Sequence, residues 1–484
     1  MSSEHDDISA LLGEDLEDEE LVTVDLELSV TPRKERVFQG ESIDVELLAR
    51  NPAEEGRRLY LSLDPANDTV KWTLRAESGA ERGPVGDEEA AAARGRPFDV
   101  VDHEGREEVL AAGAENLEVF DLLPRAGELP PGTWAITAEL THELVELETG
   151  VEVTPPPAIQ AAGGTWDYDR GLDAFGLCAW STSEAPHAGT YLRVRAQHDA
   201  GVTLANRRIS ERVAGPESGL RVARASRYPA QRRHVLWSEG ETLRVALVDD
   251  ELPAGEHELP AAGFLEAWTG NAGELLIARR VGGQLTLERR LGGAERPDAE
   301  LAQLCSFPEG ARLAGWAGCF GTLWLAVGLA DELHLIGLSV GEGDLRELGR
   351  HQRPLAGKPC WLEVRRGPED DEGEQAAVFA LYGEGPATLT RWIPVGEEPV
   401  DEQLAEGTLP AGRLHDAHLA RRLHLLLERE GELVHATFPG TTNALDDRFS
   451  PAWTQLVRLS AKSGGELLVR GTQAGRFEFE PLED

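Results

Sequence analysis

Thr322-Leu-Trp-Leu-Ala326 and, after a short turn, Leu333-His-Leu-Ile-Gly-Leu338 are the stretch that decides the fold. An apolar run of five residues closed by a turn reads as a strand covered on both faces, and the partner after the turn reads as the strand that pairs with it. Working outward, the same two-strand phrase returns along the chain. Its middle strands are Tyr191-Leu-Arg-Val, His234-Val-Leu-Trp, Glu274-Leu-Leu-Ile-Ala, Thr322-Leu-Trp-Leu-Ala, Ala377-Val-Phe-Ala-Leu, Leu423-His-Leu-Leu-Leu and Glu466-Leu-Leu-Val. The third strands keep pace with them: Val202-Thr-Leu-Ala, Leu243-Arg-Val-Ala-Leu, Leu285-Thr-Leu-Glu, Leu333-His-Leu-Ile-Gly-Leu, Leu389-Thr-Arg-Trp, Leu433-Val-His-Ala and Phe477-Glu-Phe-Glu.

The middle strands start roughly 40 to 55 residues apart, the period of a repeated sheet rather than of a helical solenoid. No helical pattern separates the units, which argues against a parallel α/β sheet. Seven such units can close a circle and bury their mutual faces. On these repeats residues 164–484 resemble the broad β-propeller class, without the Gly-His and Trp-Asp signatures of tryptophan-aspartate repeats. The resemblance implies seven blades, with a strand near Gly164–Tyr168 completing the last one.

Ahead of the repeats the period is also two. Val24, Leu26, Leu28 and Val30 alternate with polar residues, as do Ile43, Val45 and Leu47, then Leu59, Leu61 and Leu63, and Trp134, Ile136, Ala138 and Leu140. Gln39-Gly40-Glu41, Asn51-Pro52 and Pro130-Pro131-Gly132 supply the turns between them. Leu129-Pro-Pro-Gly-Thr-Trp-Ala-Ile-Thr-Ala is similar to bacterial immunoglobulin-like modules, which implies a β-sandwich over residues 21–154. The expected fold is therefore all-β, an Ig-like sandwich followed by a seven-bladed propeller. Residues 155–163, opening on Pro155-Pro156-Pro157, read as a linker, and Glu77–Arg96 as an exposed insertion.

Residues 1–20 are too acidic to bury a core. Ile8, Leu11, Leu12 and Leu16 nevertheless fall on one helical face, the spacing of a segment that folds into a partner's groove. The stretch has no basic or apolar region of a signal peptide, and no run reaches the length needed to cross a bilayer. Across all 484 residues the formal net charge is −40, from 87 acidic and 47 basic side chains. Such a field repels phosphate backbones and anionic lipid, so neither nucleic acid nor membrane is an expected partner. Cys178, Cys305, Cys319 and Cys360 show no metal-ligand spacing and read as reduced thiols of a cytoplasmic bacterial protein.

The first strand of a propeller blade lines the channel, and Arg224, Trp268, Trp316, Arg365 and His418 stand at such positions. Together they could stack on and pair with a ligand, or the tryptophans could pack between blades. His415, Asp416 and His418 form a local cluster too small for a metal site, since His415 and Asp416 alternate to opposite faces. Asp167, Asp169 and Asp173 lack the glycine and final glutamate of a calcium loop and read as a turn. No phosphate-binding loop, nucleophile elbow or zinc-protease motif is present, so no catalytic residue, metal or cofactor is nominated. These features lead to the expectation of a non-enzymatic protein-interaction scaffold, by fold-level analogy an adaptor of AAA+ ATPase systems, with one or more proteins as partners. The alternative is a propeller-based carbohydrate-active hydrolase or a small-ligand sensor.

Overall fold

The computed structural model describes residues 27–482 apart from 53–56, 60–69, 80, 86–107, 111–114, 123–128, 141–144, 170–173, 199–200, 226–231, 250–251, 292–295, 319–320, 342, 344, 368–374, 384–385, 396–398, 420–421, 441, 445–454, 459–465 and 472–476. The tail residues Ile8, Leu11, Leu12 and Leu16 lie outside the described residues. Every regular element among those described is a strand. Among the described residues no helix is long and apolar enough to cross a membrane.

The first ten strands are β1 (Glu27–Pro32), β2 (Arg36–Phe38), β3 (Asp44–Arg50), β4 (Arg57–Leu59), β5 (Val70–Ala76), β6 (Glu81–Val85), β7 (Glu108–Leu110), β8 (Glu115–Asp121), β9 (Gly132–Leu140) and β10 (Val145–Thr154). They form a sheet of order β1-β3-β8, a second of order β2-β10-β9-β5-β6, and the ribbon β4-β7. Period-two burial explains why two sheets can share a core. Val45, Leu47 and Ala49 of β3 point inward and meet Trp72, Trp134 and Ile136 of the other sheet. Trp134 is anchored by its indole N–H, which donates to the Pro130 carbonyl at 3.1 Å. The turn before it needs Gly132, whose φ is +148°. Glu77–Arg96, expected as an insertion, instead contributes β6, which pairs with β5. Its Arg82 and Val85 extend the sheet register, a pattern too short to stand out from the surrounding Gly and Glu.

The following strands are β11 (Ala161–Asp169), β12 (Ala174–Thr182), β13 (Gly189–His198), β14 (Gly201–Ser210), β15 (Arg221–Val222), β16 (Arg224–Ala225), β17 (Arg232–Glu239), β18 (Thr242–Asp249), β19 (Leu252–Pro260), β20 (Phe264–Thr269), β21 (Leu275–Val281), β22 (Gln284–Arg290) and β23 (Ala299–Ser306). After them come β24 (Arg312–Ala317), β25 (Thr322–Gly328), β26 (Glu332–Ser339), β27 (Arg346–Pro354), β28 (Pro359–Arg366), β29 (Ala376–Tyr382), β30 (Pro386–Ile393), β31 (Val400–Thr408), β32 (Arg413–Leu419), β33 (Leu423–Arg429), β34 (Glu432–Phe438), β35 (Thr442–Ala444), β36 (Gln455–Arg458), β37 (Glu466–Gly471) and β38 (Phe477–Leu482). They build successive antiparallel sheets, mostly four-stranded, in the orders β11-β12-β13-β14, β15-β17-β18-β19, β16-β20-β21-β22-β23, β24-β25-β26-β27, β28-β29-β30-β31, β32-β33-β34-β35 and β36-β37-β38. We call these the first to seventh sheets. The arrangement is propeller-like.

Stacking of the sheets accounts for the continuous apolar runs. Leu323, Leu325 and Val327 of β25 pack on the third sheet, while Trp324 and Ala326 pack on the fifth, so both faces of one strand are buried. Tryptophan fills these seams beside a glycine, on the neighbouring sheet for Trp268 and on the paired strand of its own sheet for Trp324. A Cβ on Gly315 would lie 2.5 Å from the Trp268 ring, and one on Gly337 would lie 2.8 Å from the Trp324 ring. Each glycine is thus the space its tryptophan occupies.

Arginines tie the seams at their edges. Arg289 of β22 donates to Asp298 and to the carbonyls of Val340 and Gly343 in the fourth sheet. Arg279 donates to the carbonyls of Pro260 and Ala262 beside the second sheet. Arg353 donates to Thr390 of the fifth. A fork with five donors can hold several carbonyls at once, which an ammonium on a single stem does less well.

Two repeat assignments change. Tyr191-Leu-Arg-Val lies on β13 and Val202-Thr-Leu-Ala on β14, so the first unit is shifted by one strand relative to the others, where His234, Glu274 and Thr322 stand at or near the start of the second strand. Gly164–Tyr168 belongs to β11, which pairs with β12 and opens the first sheet rather than completing the last. Strand β11 lies against β36 without pairing to it. Asp167 and Asp169 are strand residues of β11, not a turn. Asp173 lies outside the described residues.

Candidate functional site in the inner strands

The first strand of each sheet is the one nearest its counterparts in neighbouring sheets: β20 meets β24, β24 meets β28, β32 meets β36, and β11 meets β15 and β36. Three of these strands share a local device. In β20, β28 and β32 the pairing slips by one residue at Leu265, Cys360 and His415, leaving each as an extra residue against its partner strand. A bulge re-aims the side chains that follow it. Glu266 and Asp416 both come directly after the bulge, and both accept a hydrogen bond from the next backbone N–H, Ala267 at 3.1 Å and Ala417 at 2.8 Å. Equivalent carboxylates are thereby held at the same place on the third and sixth sheets.

Two inner-strand carboxylates carry an arginine. Arg365 donates from Nε to Glu363 Oε1 at 2.6 Å and from Nη2 to the Leu419 carbonyl of the next sheet at 2.6 Å, and its guanidinium lies 5.6 Å from the Phe379 ring centre. Arg221 lies 3.5 Å from Glu266 and 5.3 Å from the centre of the Phe264 ring. The side chains of the Arg221–Glu266 pair are 35% and 30% exposed, and those of Arg365–Glu363 24% and 18%. Such partly buried pairs remain within reach of solvent and of a polar ligand.

The five positions expected to line the channel all fall on inner strands, and they divide. Arg224, on β16, is exposed. Trp316 is half-buried and packs against the seam between the fourth and fifth sheets. His418 is half-buried on β32, directly across from the buried His424 of β33. Trp268 is fully buried between the third and fourth sheets and faces no channel. Arg365 is there, but one of its donors is taken by the sheet-to-sheet bond to Leu419. A strand's alternation tells which residues share a face, not which face looks inward, and the bulges shift that alternation from sheet to sheet.

Glu266, Glu363 and Arg221 escaped the sequence reading. A signal was present: Leu265-Glu-Ala-Trp and His415-Asp-Ala-His share an acid, an alanine and a ring in order. Among the described residues no group of three or more metal-ligating side chains comes together. Cys305 and Cys360 are free thiols whose pKa values burial pushes up.

No family model and no curated protein matches the chain. Among solved structures it has distant likeness to several propeller-fold proteins. One structure, from a study of two prolyl endopeptidases, is 15% identical over 68% of this chain and 47% of that one, with a TM-score of 0.39. The BP39L lectin from Burkholderia pseudomallei is 15% identical over 68% of this chain and 99% of that one, at 0.35. A putative 6-phosphogluconolactonase from Bacteroides fragilis is 12% identical over 66% and 93%, also at 0.35. The expectation of a non-enzymatic scaffold, with its AAA+ association, is corrected: enzymes and a lectin stand among the structures of like architecture, and the inner strands hold arginine–carboxylate pairs suited to a ligand. At these TM-scores the likeness is one of sheet arrangement, and no activity passes from those proteins to this chain.

Proposed function

We propose that the seven sheets act as the blades of a propeller preceded by an immunoglobulin-like sandwich, and that the inner strands form a binding site for a small polar ligand, carbohydrate among the candidates. The observation that supports this reading is the set of partly buried charged pairs on inner strands, Arg221–Glu266 and Arg365–Glu363. Fixed carboxylates and guanidinium forks present acceptors and donors together, which is how hydroxyl-rich or ionic ligands are oriented. A second reading, hydrolysis of the bound ligand, is favoured by the equivalent placement of Glu266 and Asp416 after their bulges, because two positioned carboxylates can serve as acid and base.

The test is a thermal-shift screen of the full chain against metabolites and glycans, followed by incubation of each hit and product analysis. A ligand that raises Tm in the native protein and loses the effect in Glu363→Gln supports binding in the inner strands. Appearance of a cleavage product that Glu266→Gln abolishes supports the hydrolytic reading. A hit list unchanged by both substitutions would place the ligand elsewhere and end the proposal.

A further inference from the structure

On the third and sixth sheets the residue directly after the inner-strand bulge is a carboxylate, Glu266 and Asp416, whereas on the fifth it is Trp361. The bulge at Cys360 sets which way that ring turns. Cys360 and Trp361 both pack on the seam of the fifth and sixth sheets, while Leu362 and Val364 pack on the seam of the fourth and fifth. Alternation then resumes, so Trp361, Glu363 and Arg365 share the face of β28 that looks to the sixth sheet. Contacts agree with this: Arg365 donates to the Leu419 carbonyl of the sixth sheet, and Phe379, opposite Glu363 in the register and beside the Arg365 guanidinium, packs on the same seam.

Trp361, Glu363 and Arg365 are all half-buried, unlike Trp268 on the inner strand of the third sheet, which is closed off entirely. Among the described residues no hydrogen bond takes up the Trp361 indole N–H, whereas Trp134 and Trp180 donate theirs to protein acceptors. The charges beside the ring are matched. Arg365 donates to Glu363 Oε1 from Nε at 2.6 Å and to Oε2 from Nη2 at 2.9 Å, so the pair presents no net charge. It does present hydrogen-bonding capacity: a carboxylate oxygen that has accepted one bond can accept another. On the arginine, Nη1 takes part in none of these bonds. Strand rise spaces alternate residues by about 6.5 Å, so the ladder from Trp361 to Arg365 runs about 13 Å.

We infer that this face of β28 binds a neutral sugar, with a pyranose ring stacked on the Trp361 indole and its hydroxyls on Glu363 and Arg365, in a disaccharide or longer chain. This deepens the proposed function, since it rests on the inner strands being the ligand site and names the class of ligand and the residue that selects it. An aromatic face beside paired donors and acceptors suits a molecule that is itself apolar on one side and hydroxylated at its rim. An anionic sugar gains little from a guanidinium already matched by a carboxylate, and a chain of net charge −40 repels it.

Titration calorimetry and tryptophan fluorescence of the full chain would use lactose, cellobiose, mannobiose and the anionic digalacturonate. A neutral disaccharide should bind with a change in emission, as the half-buried indole loses its water. Trp361→Leu, which keeps nonpolar packing in the seam without the flat ring, should weaken that binding by about tenfold with the fold retained by circular dichroism. Trp361→Phe should keep most of the affinity and lose the emission change, a split that a purely structural role for the ring would not produce; it also carries the test if the leucine variant fails to fold. Equal binding of the neutral sugar by native protein and Trp361→Leu would overturn the inference, and so would binding of digalacturonate alone. In either case loss of the bound probe in Glu363→Gln would leave the proposed function standing. No binding of any of the four sugars would overturn the inference, and the proposed function would fall with it only if the metabolite screen were empty as well.

Discussion

The seam that joins the β1–β10 unit to the first sheet and the seams between successive sheets are built from different chemistry. Between sheets the contact is nonpolar, aliphatic side chains with tryptophan or phenylalanine among them: Leu381, Leu389, Leu425 and Phe438 close the seam of the fifth and sixth sheets, with an arginine at the edge. At the front seam the contact is polar and aromatic. The turn after β2 adds to β14, with Asn206 N–H donating to the Gly40 carbonyl and Ser42 N–H to the Asn206 carbonyl, both at 2.9 Å. Trp180 Nε1 donates to the Asn206 side chain at 3.0 Å. Phe38 sits edge-on to Trp180, His187 and Tyr191. Glu41, almost fully buried, meets Lys34 at 2.5 Å and accepts from the Phe38 N–H.

The difference teaches what each seam has to specify. Repeated sheets can stack with any neighbour of like shape, and nonpolar contact supplies the stability. A single docking between unlike units needs one register, and directional hydrogen bonds with an ion pair on a buried carboxylate reject the alternatives. Burial pushes the Glu41 carboxyl up while Lys34 draws it back, so the pair specifies more than it stabilises.

The sharpest way to break the comparison is Phe38→Ala. The ring is about as buried as any in the protein and bridges three aromatic partners, so its loss should cost about 3–5 kcal/mol in denaturant unfolding. The front seam should open first, visible as early exposure of Trp180 fluorescence. A loss below about 1 kcal/mol would mean that the polar contacts hold the seam by themselves.

A smaller effect probes the sixth sheet, where buried polar side chains meet as they do at the front seam. His424 and His435 stack with ring centres 5.2 Å apart and share a hydrogen bond of 3.0 Å. Burial, and then His424, lowers the His435 pKa from 6.5 to about 4. A group whose folded pKa is depressed contributes stability that is present above pH 6.5 and is lost as pH falls toward 4, by up to about 3 kcal/mol. His234, lowered to about 3 by burial, acts in the same direction at the second and third sheets. His435→Gln, which keeps a hydrogen-bonding group without titrating, should flatten the acid limb of stability against pH. An unchanged slope would show that folding does not depress the His435 pKa and that other groups set the acid limb.

Much of this was legible in the residues. The second strands beginning near His234, Glu274, Thr322, Ala377, Leu423 and Glu466 could be read because burial on both faces writes a continuous apolar run. The first unit was misphased because Ala174–Thr182 spells its strand with Gly, Cys and Ser, while Tyr191-Leu-Arg-Val carries the stronger pattern. Closure was misassigned for a related reason: a strand rich in glycine and tryptophan at Gly164–Tyr168 gives no sign of which edge it joins. At the candidate site the ring-bearing positions could be placed on inner strands, yet Trp268 turned into a seam. That choice depends on Gly315, 47 residues away in the neighbouring sheet, which local reading does not weigh. Lys34, Glu41, His187 and Asn206 gave no signal at all, since their meeting is purely tertiary.

The smallest expected effect lies at the rim of the front seam, where Arg36 meets Glu152 at 2.5 Å. Both side chains are about half in water, at 59% and 45% exposure, so solvent screens the pair and holding two long side chains in one geometry offsets the attraction. Arg36→Gln should therefore change unfolding free energy by less than about 1 kcal/mol, with the difference shrinking as salt rises. The register of β2 on β10 should survive it, because backbone pairing at Val37 and Val153 fixes the strand without the ion pair. Arg36 also lies among the cations that, after burial, hold the His187 pKa down, so its removal should let the His187 titration move upward in an NMR pH series. A loss of several kcal/mol would mean that the polar rim, not the aromatic centre around Phe38, carries the docking, and the contrast between the two kinds of seam would have to be redrawn from charge rather than from packing.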